Sequence, residues 1–187
     1  SSSSNNIVLA SNGSVNIPTL TTNTSFGKIL QVIQQEKVDT WSTTSDFVFS
    51  DVTGLAATIT PSSSSNKVLV VIDVIASSDN YNTYLKLLRG STEIGNNATG
   101  KQSNQTNLFS TIGTDQTDSN NHGFCHLHNR QILDSPNTTS AVTYKIQSAA
   151  RNGNYNAYIN RSVPDRNDTA EYDVRHTSRI ILMEVAA

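Results

Sequence analysis

Cysteine is nearly absent: Cys125 stands alone in 187 residues, so no disulfide can form within the chain and stability must come from packing or association. Such usage fits proteins assembled in a reducing cytoplasm. Charged residues reach only 15%, net charge is -2, and no cluster of Lys or Arg occurs. The electrostatic footprint that nucleic acid or anionic lipid requires is therefore missing. Long apolar runs are missing as well. The longest, Val68 to Ile75, is broken by Asp73 and falls far short of the ~18 residues of a membrane span, which predicts a soluble protein with no membrane insertion. The chain opens at Ser1 with neither an initiator Met nor an apolar signal stretch, so the expectation is a piece of a longer polypeptide whose upstream part holds the attachment function.

What is present is polar and strand-forming. Ser, Thr and Asn make up roughly a third of the chain, far above ordinary globular usage, and they favour turns, strands and wet surfaces over helices. Gly and Pro are not abundant, while Val, Ile, Leu, Tyr and Phe recur in short clusters, which separates this chain from a disordered polar tract.

Residues 1–26 carry sparse apolar punctuation at Ile7, Leu9, Val15, Ile17 and Leu20. A lone strand of this kind cannot bury itself. It can wind with identical copies into an extended stalk, or it is a flexible linker; both readings stay open. From Gly27 to Ala187 the pattern becomes strand, turn, strand at the spacing of an antiparallel β-sandwich, the head domain. Strands are predicted at Lys28–Lys37, Phe47–Val52, Leu55–Thr60, Lys67–Ser77, Thr83–Arg89, Leu108–Ile112, Phe124–Leu133, Ala141–Ala149, Asn156–Asn160 and Ser178–Val185. Thr53-Gly54, Arg89-Gly90, Ser135-Pro136-Asn137 and Asn152-Gly153 are read as turns. No window holds a helical period, so the fold class is all-β.

Successive strand side chains point to opposite faces, which makes parity informative. Val142, Tyr144 and Ile146 share one side of their strand against Thr143, Lys145 and Gln147, giving one wet face. In Lys67–Ser77, Val68, Val70, Ile72 and Val74 oppose Leu69, Val71 and Ile75, with Asp73 the single exception. The last strand repeats this, with Ile181, Met183 and Val185 against Ile180, Leu182 and Glu184. An antiparallel sandwich leaves its outer faces to solvent, so strands apolar on both sides need an external cover. A symmetry mate is the simplest, and Leu69, Val71, Ile75, Ile180 and Leu182 are the expected interface. About six such side chains at ~1.5–3 kcal/mol each give on the order of 10 kcal/mol per subunit.

Thr53-Gly54-Leu55-Ala56-Ala57-Thr58-Ile59-Thr60-Pro61-Ser62 followed by Lys67-Val68-Leu69-Val70 resembles a module of fibre and virion-surface proteins of marine tailed phages, cyanophages among them. Leu87-Leu88-Arg89-Gly90-Ser91-Thr92, Leu133 to Ser140 with Tyr144-Lys145, and Met183-Glu184-Val185 follow in the same order. The resemblance spans Gly27 to Val185. It implies a jelly roll of the tumour-necrosis-factor and complement-head type, a homotrimer with the stem entering on its threefold axis, and a place on the virion surface. It also implies contact with other virion proteins through the upstream chain and with a glycan or protein of the host surface at the tip. A capsid decoration or head-fibre knob remains an alternative.

The smaller constellations are weighed against this frame. His126-Leu127-His128 resembles the His-x-His signature that holds a metal on the axis of some trimeric fibres; three copies would supply six imidazoles, suited to an octahedral transition metal. The ordinary alternative is a wet strand face with no cofactor. Cys125 is expected in the core beside Leu127. Asp165, Asp168, Glu171 and Asp173 gather oxygen ligands without the alternation or turn Gly of a calcium loop. No Gly-x-Ser-x-Gly and no paired carboxylates are readable, so the expectation is not an enzyme, with a polysaccharide depolymerase as the remaining alternative. For ligand contact, Tyr81 and Asn82 in one loop, and Asn154, Tyr155 and Arg161 in another, combine aromatic faces with hydrogen-bonding groups.

Overall fold

A computed structural model describes residues 27–79, 82–100, 108–113, 125–163, 165 and 173–187. The expected stalk, residues 1–26, lies outside the described residues. Among those described there is no helix, and the strands are β1 (Ile29–Lys37), β2 (Trp41–Thr43), β3 (Ser50–Ile59), β4 (Lys67–Ser78), β5 (Asn82–Arg89), β6 (Thr92–Ile94), β7 (Ser110–Gly113), β8 (His126–Asp134), β9 (Val142–Ala150), β10 (Ala157–Ile159) and β11 (Ser178–Val185).

The named strands pair antiparallel in two sheets. In the first, β4 has β8 along one edge; its other edge is shared by β11, which continues to β1, and by β10, which continues to β2. In the second the order is β3-β9-β5, with β6 and β7 dividing the far edge of β5. The chain passes between sheets from β2 to β3, β3 to β4, β4 to β5, β7 to β8, β8 to β9 and β9 to β10, which makes the sandwich jelly-roll-like.

Alternation decides what lies between the sheets. Val68, Val70, Ile72 and Val74 from β4 and Ile180 and Leu182 from β11 belong to one fully buried cluster with Leu55 and Ile59 from β3, Leu85 and Leu87 from β5, and Tyr144 and Ile146 from β9. Ile180 and Leu182 are thus core residues, which corrects their expected place at a subunit interface. Their companion Glu184 makes that side look wet in the sequence, yet it is buried where the strand ends. Its carboxylate accepts hydrogen bonds from Asn66 Nδ2 (2.6 Å), Gln31 Nε2 (2.6 Å), and the Ser62 backbone N and Oγ (2.7 Å each). Burial raises its pKa, and these donors more than offset that, leaving it at about 2.

Three further expectations change. Thr53-Gly54 is no turn: Phe47–Val52 and Leu55–Thr60 contribute to one strand, β3, in which the register slips between Asp51 and Ala56 and Gly54 takes φ 83°. A bulge of this kind uses glycine's freedom to adopt positive φ while the strand continues. The short strands β2 and β6 carry too few residues for alternation to show and went unread. Leu127 is not beside Cys125 in the core; it is 62% exposed on the outer side of β8, while Cys125 precedes the strand half-buried, where burial pushes its thiol pKa up.

Candidate functional site

The outer face of the first sheet is built in cross-strand rows. One row runs Val32, Met183, Leu69 and Leu133 across β1, β11, β4 and β8, apolar throughout. The next pairs Ile181 with Val71 between Gln34 and Gln131. Beyond a polar row, Ile75 faces Leu127. Val32 is 55% and Leu133 53% exposed, and Leu69, Val71 and Ile75 are half-buried. The expected interface residues Leu69, Val71 and Ile75 are therefore gathered on one surface. Their β11 partners are Ile181 and Met183 in place of Ile180 and Leu182.

The polar row explains the exception noted in β4. Asp73 stands between Arg179 and Asn129 and accepts from both, at 2.7 Å from Arg179 Nε. A depression of about 300 Å³ lies here, lined by Asp73, Ile75, Leu127, Thr177 and Arg179. The face is thus an apolar surface crossed by one internally neutralised stripe. No protein-family model matches the chain, and no curated protein matches it. Its chemistry must be read from its own residues.

The outer face of the second sheet is different. Thr58 and Thr143 hydroxyls bond at 2.7 Å; Lys145 and Gln147 both reach Asp51 at 2.8 Å; Lys86 pairs with Glu93 at 3.0 Å. Hydrogen bonds to Lys145 and Gln147 hold the Asp51 carboxyl below the usual range.

The loop candidates converge at one end of the sandwich. Tyr81 lies outside the described residues, but neighbouring Asp79 accepts from Asn156 N and Nδ2, each at 2.6 Å, which ties the β4–β5 connection to the loop before β10. Asn82 Nδ2 donates to Thr111 Oγ1 at 3.4 Å. The Asn154 N–H donates to Asn152 Oδ1 at 3.0 Å, closing a local turn, and Tyr155 N–H bonds Asn152 O at 3.3 Å. Arg161 lies 4.2 Å from the Tyr158 ring centroid, donates to Val163 O at 2.7 Å and pairs with Asp165 at 3.2 Å. Arg161 thus organises its own loop. Asp165 is occupied by Arg161 and Arg175, whose proximity lowers its pKa, while Asp168 and Glu171 fall outside the described residues.

The histidines of β8 turn away from the apolar face. His126 and His128 pair with Ala76 and Val74, the inward residues of β4, so they point toward the second sheet. His128 Nδ1 lies 2.6 Å from Ser110 Oγ, and burial, aided by nearby His126, pushes its pKa down to about 4. A metal shared by copies meeting on the outer face would need both rings outward. Among the described residues no three His, Cys, Asp or Glu side chains converge on a common point.

Further along the same side of β8, Asp134 closes the sandwich edge. Tyr144 OH donates to it at 2.7 Å and Arg89 Nη1 at 2.8 Å. Burial first, then that hydrogen bond, raises the Tyr144 pKa.

Proposed function

We propose that this chain is the head of a homotrimeric phage-type fibre, a structural protein whose tip loops meet a ligand on the host surface. The carrying observation is the row Val32, Met183, Leu69 and Leu133 on an outer sheet face, where an isolated sandwich would place polar residues. Because several of these side chains are already half-buried, completing their burial at ~0.5–1.5 kcal/mol each contributes on the order of 2–6 kcal/mol per subunit. The ordered motifs shared with marine tailed-phage fibre modules support the assignment to a virion surface and to a trimeric jelly roll. Residues upstream of Gly27 serve as the stem. Loops at the end that includes Asp79, Asn156 and Arg161 then stand in three copies, and weak individual contacts gain from high local concentration.

Sedimentation equilibrium at micromolar concentration tests the assembly, with three chain masses expected. A single-chain mass at that concentration rejects it. Adsorption of the labelled protein to host cells tests the role, since a decoration protein gives no selective adsorption.

A further inference from the structure

We propose that the outer face of the second sheet carries a binding platform for a neutral oligosaccharide, centred on Phe47, Phe49 and Tyr84. This rests on the host-surface role above and extends the ligand's contact from the tip loops onto the adjoining sheet face, naming its class. The rings form one cluster: Phe47 lies 4.9 Å from Tyr84 and 5.4 Å from Phe49, centroid to centroid, both edge to face. Phe47 is nevertheless 42% exposed and its neighbour Val48 65%. Large apolar side chains grouped on a polar surface mark an interaction site more often than single exposed ones do.

Backbone geometry adds a second observation. Phe47 holds φ 50°, a left-handed conformation that a bulky side chain adopts rarely and that costs about 1–3 kcal/mol. The other non-glycine residues with positive φ among the described residues, Asn137 and Asn160, are of the type that tolerates it. Phe47 is held there by its N–H donating to Ala150 O at 2.9 Å, with Ala150 N–H returning to Ser45 O at 3.2 Å. Asn at position 47 would relieve the strain, so the retained ring has a use beyond folding.

The border selects the ligand class. Lys86 Nζ sits 4.2 Å from the Phe49 centroid and pairs with Glu93; Gln147, its cross-strand neighbour, and Lys145 both bond Asp51. Two cations are thus matched by two carboxylates along this border. Aromatic rings flanked by amide, ammonium and carboxylate groups complement a sugar, which offers C–H groups on its ring face and hydroxyls at its edge. Gln147 and Lys145 also line, with Leu88, Gly90, Ser91 and Thr143, an open depression of about 550 Å³. That volume lies in the range of small-ligand sites (roughly 300–1,000 Å³). Continuity along β9 from the rings to this depression fits several sugar units in line. The platform lies opposite the apolar face of the first sheet, so assembly through that face leaves it open.

The test titrates the intact chain with cellohexaose, laminarihexaose and maltohexaose as neutral probes and hexagalacturonate as the acidic one, following aromatic NMR signals and heats of binding. At least one neutral hexasaccharide should bind, with Phe47→Asn weakening it at least tenfold and Gln147→Ala about threefold. Phe47→Asn should melt no lower than the parent, which separates lost binding from lost folding. Tyr155→Ala, in the loops proposed to meet the host ligand, should weaken binding less than Phe47→Asn does. Binding lost in Tyr155→Ala but kept in both platform variants would overturn the platform and leave the host-surface role standing with its site at the loops. Preference for hexagalacturonate overturns the neutral class, and no binding by any probe at millimolar concentration overturns the proposal. Sedimentation of the same samples reports separately on assembly.

Discussion

The two outer sheet faces have the same backbone alternation and opposite chemistry. On the second sheet, every polar group just described has a partner one strand away: Thr58 with Thr143, Lys145 and Gln147 with Asp51, Lys86 with Glu93. On the first, Val32, Met183, Leu69 and Leu133 lie side by side, and beyond them Asp73 accepts from Arg179 and Asn129 in a polar row. Cross-strand pairing thus satisfies these polar groups of one face within the chain, while the other presents a contiguous apolar row. Exposure alone would miss this, because single surface apolar residues are ordinary while a contiguous row is not.

The contrast can be broken most directly by charge. Leu69→Asp with Met183→Asp puts like charges opposite each other in the middle of the apolar row and should weaken association by about 4 kcal/mol or more per subunit, near a thousandfold. Sedimentation should then show single chains at micromolar concentration. Thr58→Asp on the other face should leave the mass unchanged.

A smaller effect is expected where the first sheet ends. Glu184→Leu strands the donors of Asn66, Ser62 and Gln31 and should reduce stability by about 2–3 kcal/mol in urea unfolding. The pH dependence follows from its lowered pKa. The folded chain binds this proton more weakly than the unfolded chain, so the stabilisation is complete above about 4.5 and disappears as pH falls through about 2. Melting temperature should therefore fall across that window, and less steeply in Glu184→Gln. His128 acts at higher pH with the same sign. Its neutral form is favoured on folding, so stability should decline as pH drops from 6.5 through about 4, and His128→Asn should flatten that part of the melting profile.

Edge closure ranks next. Tyr144→Phe removes the bond to Asp134 while keeping the ring in the core, for a loss of about 1–2 kcal/mol by urea unfolding. Arg179→Ala should matter least to the isolated chain, under about 1 kcal/mol, because Arg179 is half-exposed and its pair with Asp73 is solvent-screened. A larger effect of Arg179→Ala on association than on unfolding would sharpen the contrast by showing that the stripe aligns copies.

Much of this was legible in the chain. Alternation locates β9, and short apolar runs locate β4 and β11, with Asp73 the exception within the run of β4. Parity divides a strand into two faces without saying which turns inward, and in β11 the burial of Glu184 reversed the expected choice. The aromatic platform is unreadable for another reason: Phe47 meets Tyr84 across a long stretch of chain. Only the β3–β9–β5 order brings them together.

By itself the sequence determined the fold class, the strands with clear period-two patterns, and the excess of apolar surface over what one sandwich can hide. These depend on residue order along a few neighbours, which a pleated strand converts directly into faces. Only tertiary structure decided that Ile180, Leu182 and Glu184 point inward, that His126 and His128 leave the outer face, and that distant side chains share a row. Register between strands sets those relations, and register is a property of the packed sheets.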